Sequence, residues 1–315
     1  MSTGSFAEAG ARLGFTPSAV SQQIAALERS TGLVLFERGP RSIRSTAAAR
    51  SLASRVVVML GQLDALEREI RMMAAGGLGV VRVGSFPTAS AGLLPAALAR
   101  LKRSHPEVDV LLDEAEPDEL VPRLTAGALD LILVYEYDTV PRSWPSNLTR
   151  TALVRESLLL LLGRHHSVAG AGPQDLAALA GDTWAASRED TAGARSMERL
   201  CAAAGFAPRV AYRSNDYNVV HGLVAAGLGV ALVPALAYVE DPRTLAVDVT
   251  GPGASRQVFA LHRGDDANPV LGALLDALAL AGRARARETQ NLRIQPTLRV
   301  VPDRSGDDPG RANPA

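Results

Sequence analysis

Two short helix patterns around a glycine turn, followed by a basic hairpin pattern, occupy residues 5–46 of this 315-residue chain. Ser5 and Glu8 have the spacing of a capping box, in which the serine accepts from the helix backbone and the glutamate reaches back. Gly14 and Phe15 then form the turn that ends the first helix. These closely spaced start and stop signals restrict this part of the chain to a small helical module.

The second helix of the module is predicted over residues 17–29. Thr16 can cap its first turn, and Pro17 suits the first helical position, where no N–H is needed. One face is apolar at helical spacing, and we expect it to pack on the core: Val20, Ile24 and Leu27. The other face has polar side chains near the helix start, where hydroxyl and amide groups suit base edges and phosphates in a major groove. We predict DNA contacts from Thr16, Ser18, Ser21 and Gln22.

A basic hairpin is predicted after the second helix. Residues 33–36 are apolar and are predicted as a strand, and Gly39-Pro40 turns the chain. Three arginines flank this turn: Arg38, Arg41 and Arg44. Arginines on such a wing can contact the DNA backbone or enter a minor groove, although a solvated basic loop is the alternative. Residues 1–55 have seven arginines and three glutamates, whereas the whole chain has no net charge, so positive charge concentrates on this winged helix-turn-helix pattern.

The run L-G-F-T-P-S-A-V-S-Q-Q-I-A-A-L-E at residues 13–28, followed by L-F-E-R at 35–38, resembles the LysR-type transcriptional regulator family. Thr16 stands where that family usually has a capping serine, and the family's L-T-x-A-G ending appears as S-T-A-A-A at 45–49. The resemblance implies a DNA-binding domain over 1–45. The family's first helix has no counterpart here, so we expect either a start codon upstream or a paralogue with a loosened module.

A single long helix is predicted over residues 46–75, which contain no proline and one glycine, Gly61. It has one apolar stripe at spacings of three and four: Val56, Leu60, Leu63, Leu66 and Ile70. In the family this helix pairs with its copy, so the resemblance implies a homodimer or homotetramer that presents two DNA-binding helices to two half-sites. A helix packed on its own domain is the alternative. The linker, 46–78, ends in a glycine-rich joint.

From residue 79 the sequence alternates between strand and helix patterns, which predicts a doubly wound, parallel α/β fold. The run L-V-A-A-G-L-G-V-A-L-V-P at 223–234 is the most specific resemblance to the family in this half. It implies a periplasmic-binding-protein-like, two-lobed α/β effector domain over 79–283. We expect lobe one to comprise 79–154 and 256–283, lobe two to comprise 155–255, and a disordered tail to follow over 284–315.

Ligands of open α/β sheets bind beyond the carboxyl ends of the strands. This rule, together with the resemblance, predicts an effector site between the lobes that is lined by Ser85, Thr88, Ser90, Tyr135, Ser187, Thr191 and Asn215. Each of these could instead be only a helix cap or a turn residue. Few charges fall at the predicted strand ends, so we expect a small, partly apolar effector.

The remaining patterns favour regulation over catalysis. The five histidines lack metal-site spacing, and neither a dinucleotide loop, a P-loop nor a G-x-S-x-G motif occurs. We expect no enzymatic activity, no cofactor and no membrane segment, and a cytoplasmic location. The expected partners are double-stranded DNA, a small-molecule effector and further copies of the chain. The alternative is a stand-alone small-molecule-binding protein that has lost DNA binding through N-terminal truncation.

Overall fold

The computed structural model describes residues 5–38, 43–74, 79–169, 172–264, 268, 270–288 and 294–296. Internal contacts divide the chain into an N-terminal unit, residues 1–68, and a second unit, residues 69–315. The elements of the first unit are α1 (Phe6–Leu13), α2 (Pro17–Thr31), β1 (Phe36–Arg38), β2 (Ile43–Ser45) and α3 (Ala47–Ala74), which runs past the boundary.

The two predicted helix caps in the N-terminal unit are present. Ser5 Oγ accepts from the N–H of Glu8 at 3.1 Å, and Thr16 Oγ1 accepts from the N–H of Ala19 at 3.2 Å. Gly14 ends α1 in the left-handed region at φ 73°, which a residue with a side chain rarely adopts. Local side-chain chemistry therefore sets where both helices of the helix-turn-helix begin.

The predicted strand at 33–36 begins too early in the chain. The carboxylate of Glu28 accepts the N–H groups of Leu35 at 2.7 Å and Phe36 at 3.1 Å, and Thr46 Oγ1 donates to the carbonyl of Val34 at 2.9 Å. These side chains hold residues 33–35 outside the ladder, so antiparallel pairing starts with Phe36 opposite Ser45. The predicted Gly39-Pro40 turn lies outside the described residues.

Much of the apolar surface of the N-terminal unit is exposed. Val20 and Ile24 are half-buried, but Leu27 is 44% exposed, so the prediction that Leu27 packs on the core is wrong. Leu13, at the end of α1, is 66% exposed. The predicted stripe along α3 is also exposed, at Val56, Leu60, Leu63, Leu66 and Ile70. Each large apolar side chain that becomes buried contributes about 1.5–3 kcal/mol, so these surfaces favour further apolar contact.

The second unit alternates strands and helices, as predicted. Its strands are β3 (Val80–Ser85), β4 (Asp109–Glu114), β5 (Leu131–Tyr137), β6 (Leu148–Gly163), β7 (Thr183–Ala186), β8 (Arg209–Arg213), β9 (Ala231–Pro234), β10 (Thr244–Asp248), β11 (Ser255–Arg263) and β12 (Ile294–Pro296). Its α-helices are α4 (Pro87–Gly92), α5 (Leu94–Ser104), α6 (Pro117–Thr125), α7 (Ala192–Ala203), α8 (Tyr217–Ala225) and α9 (Val270–Glu288). Short 3₁₀ helices occur at Leu176–Leu179 and Ala235–Ala237.

Two lobes share the 16-residue strand β6. In lobe one the strand order is β4-β3-β5-β11-β6, with β3 parallel to β4 and β5, and β11 antiparallel to both of its neighbours. In lobe two the second half of β6 pairs antiparallel with β9 and β10, while β7 and β8 form a parallel pair. The two-lobed α/β class is therefore confirmed, but the sheets are mixed because β6 and β11 pass between the lobes as antiparallel strands.

The structured part of the chain extends beyond residue 283. Helix α9 continues to Glu288 with Ala286 buried, and β12 pairs antiparallel with β6, Ile294 opposite Glu156. The prediction that disorder starts at 284 is therefore wrong for these segments, whereas 297–315 lies outside the described residues. Across the described helices, none combines the length and the apolar character that crossing a membrane requires.

Candidate functional site

A cleft lies between the two lobes of the second unit, with about 320 Å³ of empty space including its open mouth. Its walls come from segments that follow β3, β4, β7 and β8, and from side chains within β5 and β11. This is the position at which open α/β sheets bind ligands. Twelve residues line the cleft: Phe86, Pro87, Thr88, Glu116, Tyr135, Tyr137, Ser187, Thr191, Gly193, Asn215, Tyr217 and Arg256.

Five of the seven residues predicted for the effector site line this cleft: Thr88, Tyr135, Ser187, Thr191 and Asn215. The other two do not. Ser85 is fully buried, and its hydroxyl donates to the carbonyl of Phe86 at 3.3 Å. The hydroxyl of Ser90 is buried on α4 without a hydrogen-bond partner in the described structure. Ser85 is the last residue of β3 and the hydroxyl of Ser90 is buried on α4, so neither side chain lines the cleft.

A buried ion pair between Arg256 and Glu156 supplies Arg256 to the lining of the cleft. Arg256, only 2% exposed, donates from Nε and Nη2 to Glu156 Oε1 at 2.8 and 2.6 Å, and from Nη2 to Thr88 Oγ1 at 2.8 Å. Glu156 Oε2 accepts the N–H of Leu236 at 2.7 Å. Burial is the largest single influence on the pKa of Arg256 and lowers it, but Glu156 together with Tyr137 and Tyr217 raises that pKa above its ordinary value. The pair ties β11, β6 and α4 together.

Aromatic rings surround the guanidinium of Arg256. Its central carbon lies 5.1 Å from the ring centre of Phe86, 5.0 Å from that of Tyr135 and 5.7 Å from that of Tyr137. Cations are attracted to ring faces at such distances. Burial raises the pKa of both tyrosines above the ordinary value, so their hydroxyls stay protonated. The floor of the cleft is therefore an arginine held in a neutral aromatic frame.

A second carboxylate stands in the wall of the cleft. Glu116 precedes α6 but makes no side-chain cap to that helix; instead its Oε2 accepts the hydroxyl of Tyr135 at 2.6 Å. Burial raises the pKa of Glu116 above its ordinary value, an effect that the Tyr135 hydrogen bond and Arg256 partly oppose. As expected, few charges line the cleft: Arg256 and Glu116 are the two charged residues among the twelve that line it.

The wall from lobe two is made of hydrogen-bonded loop ends. Thr191 caps α7, and Asn215 Oδ1 accepts a backbone N–H from the loop between β7 and α7 at 3.0 Å. Gly193 sits where a Cβ atom would lie 3.1 Å from Ser187 Oγ and 3.2 Å from the hydroxyl of Tyr137. A glycine at this position therefore lets polar groups of both lobes approach one another.

The Arg256–Glu156 pair was missed because the site was predicted from residues at strand ends, whereas these two side chains lie within β11 and β6. Side chains two residues apart in a strand point to the same face of the sheet. Arg256 is two residues from Val258 and four from Ala260, which are fully buried, so the side chain of Arg256 also points inward. Glu156 lies two residues before the apolar run 158–162. Two opposite charges at inward positions of apolar strands are the signal that could have revealed the pair.

The predicted DNA-contacting residues lie on the N-terminal unit. Thr16, Ser18 and Gln22 are exposed at the start of α2, with Thr16 Oγ1 and Ser18 Oγ hydrogen-bonded at 3.0 Å, and Ser21 is half-buried beside them. Arg44 is exposed on β2, and the backbone of Arg38 ends β1. Arg41 and the side chain of Arg38 lie outside the described residues. The structure thus groups the polar helix start on one exposed surface.

A helix-turn-helix with a two-stranded wing, followed in the same chain by a long helix and a two-lobed α/β domain with a cleft, defines a ligand-responsive transcription regulator. The family described as "LysR substrate binding domain" matches residues 74–282, and "Bacterial regulatory helix-turn-helix protein, lysR family" matches residues 1–50. The chain belongs to the LysR family of DNA-binding transcriptional regulators.

Characterised relatives and solved structures agree with this assignment. The chain is 31% identical to the HTH-type transcriptional regulator IlvR of Caulobacter vibrioides, over 89% of this chain and 94% of that protein. It is 30% identical to the transcriptional dual regulator GltC of Bacillus subtilis, over 76% of this chain and 80% of GltC. Full-length CbnR in complex with its target DNA is 25% identical with a TM-score of 0.60, covering 88% of this chain and 94% of CbnR.

A full-length OxyR variant from Pseudomonas aeruginosa has the same fold, with a TM-score of 0.61 at 20% identity over 88% of this chain and 90% of that one.

Cys201 is the only cysteine of the present chain and is fully buried on α7. Burial, with Glu198 nearby, raises the pKa of its thiol to about 12. Because the thiolate is the reactive form, Cys201 is a packing residue.

Proposed function

We propose that this regulator binds promoter DNA through the start of α2 and the wing, and that a small effector in the cleft between the lobes changes that binding. The observation that carries the proposal is the concave, polar-and-aromatic cleft at the strand ends of a family whose members regulate transcription. A change in lobe closure would alter the spacing of the DNA-binding helices in an oligomer. On this proposal the protein acts in the cytoplasm, with the DNA.

Binding to the intergenic DNA beside its own gene, measured by gel shift over a salt series, tests the function. We expect preference for this fragment over random competitor, and affinity that falls steeply with salt because phosphate contacts release counterions. If the effector changes the affinity of the protein for DNA by some factor, thermodynamic linkage requires that DNA changes the affinity of the protein for the effector by the same factor. A stand-alone binding protein would show neither sequence preference nor coupling.

We further propose that α3 pairs with α3 of a second copy through its exposed apolar stripe. Leu63, in the middle of the stripe, is 52% exposed. Replacing Leu63 with aspartate would place two carboxylates in the paired surface, so we expect the dimer or tetramer to dissociate to monomer at micromolar concentration. Sedimentation velocity measures the change.

The matched control for this oligomer test is Ser51→Asp, which adds the same charge at an exposed position of α3 outside the stripe. We expect the oligomer of this variant to have the same molecular mass in solution as the oligomer of the unaltered protein. An unchanged mass for the Leu63→Asp variant would contradict pairing through the stripe and favour a contact elsewhere.

A further inference from the structure

We infer that the effector carries a protonated amine, which binds the carboxylate of Glu116 in the cleft. This inference rests on the proposed function, in which the cleft is the effector site. Glu116 and Arg256 are the charged residues that line the cleft within the described structure, and Arg256 is already neutralised by Glu156. The ligand therefore meets a net negative charge.

Within the described structure, Glu116 also has a carboxylate oxygen, Oε1, that is free to accept a hydrogen bond from a cation. Its Oε2 accepts from Tyr135, whereas no partner within the described structure donates to its Oε1, and it forms no ion pair there. A partly buried carboxylate loses hydration without full compensation. An ammonium group offers both the opposite charge and up to three N–H donors, so it satisfies this oxygen better than a neutral group does.

Two arginines in segments close to cleft residues already have carboxylate partners. Arg142 pairs with Asp118 at the start of α6, and Arg188 pairs with Asp190 at 3.6 Å in the loop before α7. Both aspartates act electrostatically on Glu116 and raise its pKa further. A carboxylate ligand would therefore face repulsion from Glu116, while an amine would be attracted.

The other side chains of the cleft have the chemistry to contact the body of a small amine. Phe86 and Pro87 supply an apolar wall, and Ser187 and Asn215 on the opposite lobe supply polar groups. Gly193 leaves space beside Ser187 and Tyr137, since a Cβ there would lie 3.1 and 3.2 Å from their hydroxyl oxygens. The lining thus offers a carboxylate for the charge of the ligand, and apolar and weakly polar side chains for its body.

Isothermal titration calorimetry on the intact protein tests this inference with matched probes. The amines are benzylamine and butylamine, and the carboxylates of corresponding skeleton are benzoate and butyrate. We expect an amine to bind and both carboxylates to fail. Glu116→Gln removes the charge with little change of shape, and we expect it to weaken amine binding about tenfold or more, because a charge-assisted hydrogen bond is lost.

Glu119→Gln is the control, because Glu119 is exposed on α6, three residues after Glu116, and the substitution removes the same charge. We expect it to leave amine affinity unchanged. Burial, Asp118 and Asp190 raise the pKa of Glu116 and outweigh Tyr135 and Arg256, which lower it. Amine affinity should therefore fall as the pH is lowered through that raised pKa, because the protonated carboxyl group no longer attracts a cation. This pH dependence should vanish in Glu116→Gln.

Other outcomes overturn the inference and are distinguishable from failure of the proposed function. If neither amine binds at millimolar concentration, or if Glu116→Gln and Glu119→Gln behave alike, the amine assignment is wrong. If benzoate binds and Gly193→Ala abolishes that binding, the cleft is still the effector site but the ligand is an anion. The promoter-binding test is independent of both results, because its failure would remove the regulatory function itself.

Discussion

Replacing Arg256 with methionine is expected to destabilise the second unit by about 3–5 kcal/mol, because the change leaves Glu156 buried without its partner. The methionine fills most of the space of the arginine stem but neutralises no charge. Denaturant unfolding of the intact protein measures the loss. The only two tryptophans, Trp144 and Trp184, both belong to the second unit, so their fluorescence reports on that unit alone.

Two comparisons separate the buried charge from general damage. Adding Glu156→Leu to Arg256→Met removes the unpaired carboxylate, and we expect much of the lost stability to return, since apolar residues can replace a buried pair with little cost. Arg243→Met breaks an ion pair with Asp241 at the surface, and we expect stability close to that of the unaltered protein. Equal losses in Arg256→Met and the double variant would show that Glu156 is not the cause.

Replacing Gln22 with alanine is expected to lower affinity for the preferred promoter fragment by about tenfold or more while affinity for random DNA stays nearly constant. A side chain that reads a base edge contributes about 1–3 kcal/mol of discrimination and little to non-specific binding.

Replacing Arg44 with alanine, by contrast, should weaken binding to the promoter fragment and to random DNA alike. It should also reduce the slope of log affinity against log salt concentration by about one, because one phosphate contact is lost. Competition gel shifts at several salt concentrations measure both effects.

Gln23 provides the matched control for this DNA-binding prediction, since it is also exposed on α2 and differs from Gln22 by one position around the helix. We expect Gln23→Ala to keep the preference for the promoter fragment. If Gln22→Ala weakens promoter and random DNA by the same factor, or if Gln23→Ala has the larger effect on preference, then Gln22 is not the base-reading residue of α2.

The sequence alone predicted the features that depend on neighbouring residues. Ser5 and Thr16 cap their helices as expected, because a hydroxyl reaches the backbone N–H three residues on whatever the rest of the chain does. The long helix α3 and the strand-helix alternation of the second unit follow from local periodicity. Five polar residues of the cleft were also predicted, since strand ends converge in α/β folds.

Only the tertiary structure decided which distant residues meet. Arg256 and Glu156 are 100 positions apart and become partners because β11 returns antiparallel to β6. Glu116 faces the cleft because its side chain bonds to Tyr135 in place of capping α6. Periodicity and capping act over one or two helical turns, whereas strand pairing and the desolvation of charges depend on the assembled sheet. The sequence therefore determined the elements and the family, and the fold determined the charge of the site.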